Sequence, residues 1–302
     1  MKKALLPLML FTLALTPFKV ALACLNDGSP EPSENFLQEH DPLKSIRESM
    51  TKNPPRLYDE RYRNKETDPE FFTEAHKSAL QELLTGDLKK AIGMFLELEQ
   101  RDQLYASAAN LGTAYELSGD NHNALKWIKE GLKRNPASHY GTEWLHVAIL
   151  EAKINLEKDP GYYAEKSVLD MPKRLPADAD DIFASFNGQN FNRIQVETAL
   201  AYQLYERTIF VKPEDIVVAD LLYSLSRIAG NKNDFKASFA YLDLAKEYGF
   251  KDEKRWKDSL SCFKEKQYAI ETLQPLIMAG LAATLFLLTV LFVWRDRRKR
   301  TA

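Results

Sequence analysis

Glu143 and His146 come nearest, by type and spacing, to residues that could do chemistry. Three positions apart on one helix, they supply half of a carboxylate-bridged di-metal site. The other half, a second Glu-x-x-His with two further acids facing it, is missing, so His146 is expected to be an ordinary, partly buried histidine. Asp178, Asp180 and Asp181 offer oxygen ligands in a row, but the glycine and distal glutamate of a calcium loop do not accompany them. A solvated acidic loop is the expectation there. No G-x-S-x-G elbow, phosphate-binding glycine loop, C-x-x-C pair or H-E-x-x-H helix occurs. The expectation is therefore a protein that is not an enzyme and that carries neither cofactor nor metal.

The remaining reactive side chains are Cys24 and Cys262, and their reading depends on the ends of the chain. Lys2 and Lys3 precede an apolar run from Ala4 to Phe18, and Ala21-Leu22-Ala23 follows as a small-residue cleavage site, so residues 1–23 read as a signal peptide. Cleavage after Ala23 makes Cys24 the first residue. Three states then stand open: a disulfide to Cys262, lipid attachment at Cys24, or two unpaired thiols. The leader resembles a bacterial lipoprotein signal only in part. Ala21 stands where that family usually has leucine and Leu22 where it has a small residue, and a membrane helix already supplies a stronger anchor.

That helix is expected over residues 274–294. The 19 uncharged, mostly apolar residues from Leu276 to Trp294 span about 28 Å as a helix, close to the thickness of a bilayer core. Five basic residues between Arg295 and Arg300 follow, and basic flanks stay cytoplasmic, so 295–302 is read as an inside tail and 24–273 as exported. Neither apolar end shows the amphipathic period of a core helix. The Met-Lys-Lys leader points to a bacterial inner membrane with the main domain in the periplasm. The formal net charge of −2 hides a division: once the leader's three lysines and the tail are set aside, 33 basic residues face 42 acidic ones, a net −9. Nucleic acid and anionic lipid, which need clustered Lys and Arg, are poor ligands for such a domain.

Between these ends the stretch from Tyr105 to Pro136 dictates two helices and a tight turn. Ala108, Leu111 and Tyr115 form one apolar stripe, Gly119-Asp120 breaks it, and Ala124, Ile128 and Gly131 resume it until Pro136. Small residues at Gly112, Ala124 and Gly131 permit close backbone approach, with Tyr115 and Ile128 filling the remaining space. With Leu111, Gly112, Tyr115, Ala124, Ile128, Gly131 and Pro136 in register, this stretch resembles the tetratricopeptide repeat, although Ala108 stands where that family prefers Trp. Ala91, Phe95 and Leu98 recur about 33 residues earlier, after a Thr85-Gly86-Asp87 turn, at the period such repeats require.

The expected fold class is all-α: a solenoid of tetratricopeptide-like helical hairpins carried on one C-terminal transmembrane helix. Residues 24–67, rich in Pro, Ser, Glu and Asp, are read as a flexible lead-in, with Arg56–Lys65 a possible docked turn and Asp68-Pro69 a helix start. Residues 68–158 hold the hairpins, closed by a helix from about Ser138 to Glu157 in which His146 takes the place of Gly112. Residues 159–192 form a long loop, read either as a linker packing Phe183, Phe186 and Phe191 on its neighbours or as a segment lying in the groove. Residues 193–250 form a second helical region, with stripes at Val196, Leu200, Leu204 and at Leu221, Leu222, Leu225, Ile228. In 251–273, Trp256, Leu260, Phe263 and Ile270 make an amphipathic stripe that either caps the last hairpin or pairs two copies as a homodimer.

Tetratricopeptide arrays hold an extended peptide or a partner helix in a concave groove. The resemblance therefore implies groove-facing positions at Ala106, Ala109, Asn110, Thr113 and Glu116, with Asn110 foremost because its amide both donates and accepts. The Lys and Arg clamp that some members use for a C-terminal carboxylate has no clear counterpart. A membrane-anchored, periplasm-facing scaffold or adaptor for a protein or peptide partner is the function so implied. The competing class is an envelope enzyme, or a small-ligand or metal receptor, using residues 143–192.

Overall fold

A computed structural model describes residues 36–51, 73–164 and 166–300. The signal peptide, Cys24, the Arg56–Lys65 stretch, the Asp68-Pro69 helix start, Phe71 and Phe72 lie outside the described residues. What is described is mostly helical, with one long apolar helix at its C-terminal end.

The part of the expected flexible lead-in that is described is folded. A single turn, Phe36–Glu39, precedes helix α1 (Pro42–Thr51). Phe36 is buried among the rings of Tyr202, Tyr140 and Tyr205, at centroid separations of 5.4, 5.7 and 5.9 Å. Ile46 is fully buried, and the hydroxyls of Ser49 and Thr208 bond to each other. The polar composition of this stretch concealed how much two well-placed apolar side chains can anchor.

Helices α2 (Glu74–Thr85), α3 (Leu88–Arg101), α4 (Tyr105–Leu117) and α5 (Asn121–Arg134) pair as two successive hairpins. Their turns are built alike. Gly86 and Gly119 adopt left-handed backbone, with φ of 90° and 87°, which glycine enters without a Cβ penalty. The next residue sends its N–H back over the helix end, Asp87 to the Glu82 carbonyl and Asp120 to that of Tyr115, each at 3.0 Å. Its carboxylate then caps the following helix by accepting from Lys90 or Asn123 N–H. Within the second hairpin, a Cβ placed on Gly112 would stand 2.6 Å from the Ile128 Cδ1, so the close approach expected there is present.

Helix α6 (Glu143–Lys158) starts later than the expected Ser138, because the backbone turns left-handed through His139, Tyr140 and Gly141. After α6, the described part of the expected long loop over 159–192 includes a short strand pair. Strands β1 (Ala184–Phe186) and β2 (Gln189–Phe191) form a hairpin through Asn187 and Gly188, both at positive φ, the geometry that an Asn-Gly pair favours in a two-residue turn. Phe183 and Phe191 are buried, the latter stacked on Trp144 at 3.8 Å, and Phe186 is half-buried.

Helix α7 (Arg193–Arg207) leads to α8 (Ile216–Asn231) and α9 (Phe235–Glu247), a third hairpin. Its turn uses Asn233 in the left-handed position and Asp234 as the cap. Gly230 lies inside α8, before that turn. A Cβ there would overlap the Phe263 ring of α10 (Glu253–Tyr268), which is how the last hairpin receives its capping helix. Trp256 and Leu260 pack on the same core, whereas Ile270 stands exposed. From α10 one continuous helix runs through a π-turn (Ala269–Leu273) into α11 (Gln274–Arg300). Pro275 has no N–H to offer the Glu271 carbonyl, and beside it the Gln274 N–H bonds back to Ala269 in the wider π register. The stretch Glu253–Phe292 is long and apolar enough to cross a membrane, and none of its apolar window is buried.

Candidate functional site

The five positions read as groove-facing are all interior. Ala106, Ala109, Asn110, Thr113 and Glu116 are each no more than 9% exposed, with Asn110 at 0%. The physical reason is that other parts of the same chain face them. Phe210, just beyond the C-terminal end of α7, packs on the cluster containing Ala106, and Glu116 meets side chains of α6 and α7. An open groove along α4 is therefore not what these side chains line.

Glu116 is the centre of a buried charge cluster. Its Oε2 accepts from His146 Nε2 at 2.8 Å, and its Oε1 accepts from Lys153 Nζ at 2.7 Å and from Arg207 Nη1. Burial works against its charge, but Arg207, then Lys153 and His146, outweigh it and hold the carboxyl well below the usual carboxylate range. The network continues through α6. His146 Nδ1 lies 3.6 Å from one oxygen of Glu143, whose other oxygen is 2.6 Å from His139 Nδ1. Glu143 is likewise pushed down despite burial, by its hydrogen bond to His139 and the imidazole of His146 close by. Burial lowers the His146 pKa, yet its two carboxylate partners more than compensate, and the net direction is upward.

Local backbone makes this arrangement reachable. His139 and Tyr140 hold φ of 52° and 59°, a region that costs a non-glycine residue roughly 1–2 kcal/mol. The turn is fastened by Gly141 N–H to the Ala137 carbonyl at 3.0 Å and by the Thr142 hydroxyl to the His139 carbonyl at 2.7 Å. It folds His139 back over the first turn of α6, against Glu143 and beside the Tyr105 hydroxyl. The pair first singled out for chemistry, Glu143 and His146, is thus engaged in internal ion pairs. Among the described residues no group of three or more His, Cys, Asp or Glu side chains is arranged to hold a metal ion. Asp178, Asp180 and Asp181 are exposed, as is Cys262, whose thiol is unpaired among the described residues.

Beside the cluster opens a pocket of about 200 Å³, lined by Thr113, Glu116, Leu117, Lys153, Glu206, Arg207, Phe210 and Val211. That volume is below the roughly 300–1,000 Å³ typical of small-molecule sites and suits one or two side chains. Arg207, Lys153 and Phe210 were not among the expected site residues. Arg207 had a legible signal: it continues the Val196, Leu200, Leu204 stripe at helical spacing, so a charge falls on a buried face. No protein-family model, curated protein or solved structure matches the chain.

Proposed function

We propose that this protein is a membrane-anchored helical scaffold that binds a polypeptide partner on its exported side, its hairpins being diverged tetratricopeptide-like repeats. The continuous helix Glu253–Phe292 carries the reading: its first part packs on the last hairpin through Phe263, and its apolar window is entirely uncovered. A helical domain held in this way is presented at a membrane rather than released from it. The leader at 1–23 and the basic residues after Trp294 support an exported domain with a cytoplasmic tail in a bacterial inner membrane.

In this reading the partner engages the domain at the pocket between α4 and α7, where half-buried Leu117, Phe210 and Val211 surround the charged floor of Glu116, Lys153 and Arg207. An apolar rim over paired charges fits an anchoring side chain with a polar end. Photocrosslinking in native membranes from probes at positions 117 and 210, with position 126 on the exposed face of α5 as control, tests this. A discrete protein adduct from 117 and 210 alone is expected. Equal adducts from all three positions would overturn the pocket assignment, and extraction of the chain from membranes by carbonate would overturn the anchor.

A further inference from the structure

One face of α8 holds an irregular segment, bent at 168–169 and again at 173–174, in an unusual way. Four hydrogen bonds from three α8 side chains reach the segment 168–176, and every one goes to its backbone. Asp220 Oδ2 accepts from Val168 N–H at 2.8 Å. Arg227 Nη2 donates to the Lys173 carbonyl at 3.0 Å and to that of Pro172, and Asn231 Nδ2 donates to the Pro176 carbonyl at 3.0 Å. Bonds to main-chain groups read the path of the backbone, not side-chain identity. The segment's own side chains divide by position. Val168, Leu169 and Met171 are buried, while Asp170, Pro172, Lys173 and Arg174 are exposed. Asp170 also forms an isolated antiparallel bridge with Ser185, which ties the segment to β1 at that one residue.

We infer that the α8 face bearing Asp220, Arg227 and Asn231 is a binding site for a peptide segment held by its backbone, and that residues 166–176 occupy it as a ligand in cis. The class of ligand follows from the contacts: a bent polypeptide segment with two adjacent apolar side chains, a third two positions on, and backbone carbonyls after it that can accept from Arg227 and Asn231. This site is distinct from the pocket between α4 and α7 and goes beyond the function proposed there. A tethered segment acts at an effective concentration of about 1 mM, so a free peptide of micromolar affinity competes with it poorly. The cis segment therefore regulates access to its own site, and a partner peptide enters when that segment lets go.

The test uses a fluorescent peptide of the sequence Lys166 to Pro176, its anisotropy measured against the full chain in detergent. In the L169S/M171S variant, the cis segment loses its apolar anchors and the site opens. Binding to that variant is expected to be at least about tenfold tighter than to the native chain, and to be lost when R227A and N231A are added. No binding to an L169S/M171S protein that keeps native circular dichroism and cooperative melting would overturn the proposal, as would binding indifferent to R227A/N231A. Should the variant fail to fold, hydrogen exchange in the native chain decides. Exchange at Val168 through an opening smaller than global unfolding, with α8 still protected, supports a releasable ligand; exchange only on global unfolding shows the segment to be plain core.

Discussion

Two helix faces in this molecule are covered by the chain itself, and they are covered by opposite chemistries. The face of α4 is closed by side chains speaking to side chains: Glu116 with the buried His146 and Arg207 and the partly exposed Lys153, all at close range. The face of α8 is closed by side chains speaking to backbone, through Asp220, Arg227 and Asn231. An ionic closure depends on every partner's identity, because removing one leaves an uncompensated buried charge. A backbone closure tolerates substitution at the exposed positions of the segment it holds, Asp170 and Pro172 to Arg174, though not of its buried apolar anchors. The first fixes the relation of α4, α6 and α7; the second permits exchange.

The sharpest way to break the comparison is to remove Arg207. Arg207→Met leaves Glu116 buried with Lys153 and His146 only, and about 3–5 kcal/mol of stability should be lost in denaturant titration. The double variant with Glu116→Gln should recover much of it, since both charges then leave together. A single variant no less stable than the native chain would show that the cluster is solvated and that the ionic face is not a closure at all.

The second effect belongs to the other face and is read by pH. Burial pushes the Asp220 carboxyl up to about 6, against the opposing pull of the Val168 N–H, Arg255 of α10, the Ser167 hydroxyl and Arg227 on its own helix; the buried Tyr163 lies close enough for Asp220 to raise its pKa. Exposed by opening, the same carboxyl ionises near 3.8. Between those values the closed state keeps a proton that the open state has lost. Closure therefore weakens as pH rises from about 4 to 6 and levels off above, by up to about 3 kcal/mol for a shift of this size. Stability of the native chain measured relative to Asp220→Asn, which cannot titrate, should fall across that window. A flat difference would mean that Asp220 is already ionised in the closed state.

A third variant separates both faces from the hairpin that carries them. Gly112→Leu forces a side chain into the space of Ile128 and should cost about 1–3 kcal/mol, seen as a lower melting temperature with Val168 protection unchanged relative to global stability. Unaltered melting would count against the packing of α4 on α5.

Gly112 is also where the sequence was most legible, for a reason that explains the less legible parts. Hairpins announce themselves locally: a left-handed glycine, an aspartate cap and small residues at close approach are all encoded within about 33 residues. The same locality found the stripes of α7 and α8, and it placed the long apolar C-terminal helix from length and composition alone. What covers α4 and α8 is not local. Arg207 reaches Glu116, and Pro176 reaches Asn231, across separations of 91 and 55 residues, and no periodicity registers such pairings. The β1–β2 hairpin falls between these cases. Asn187-Gly188 is a strong turn signal, but strands of three residues are too short for alternation to show. At His139 and Tyr140 tertiary contacts override the backbone preference of ordinary residues, so the expected start of α6 at Ser138 moved to Glu143.

Arg227 makes the smallest change and the one most diagnostic of the difference between the faces. Arg227→Ala deletes the two bonds to the Pro172 and Lys173 carbonyls while leaving Asp220 and Asn231 in place. The two lost hydrogen bonds, both from one guanidinium nitrogen, are together worth about 1–2 kcal/mol, which brackets the 1.4 kcal/mol that makes a tenfold change in an opening equilibrium. If the segment opens on its own, that cost appears locally: the amides of Lys173, Arg174 and Leu175 exchange several-fold to tenfold faster, while global melting and the protection of α4 stay as they were. If the same substitution instead lowers the melting of the whole domain as Arg207→Met does, the segment on α8 opens only with the core. Backbone-held and charge-held closures would then be one cooperative structure, and tolerance to exchange would not follow from how the segment is bonded.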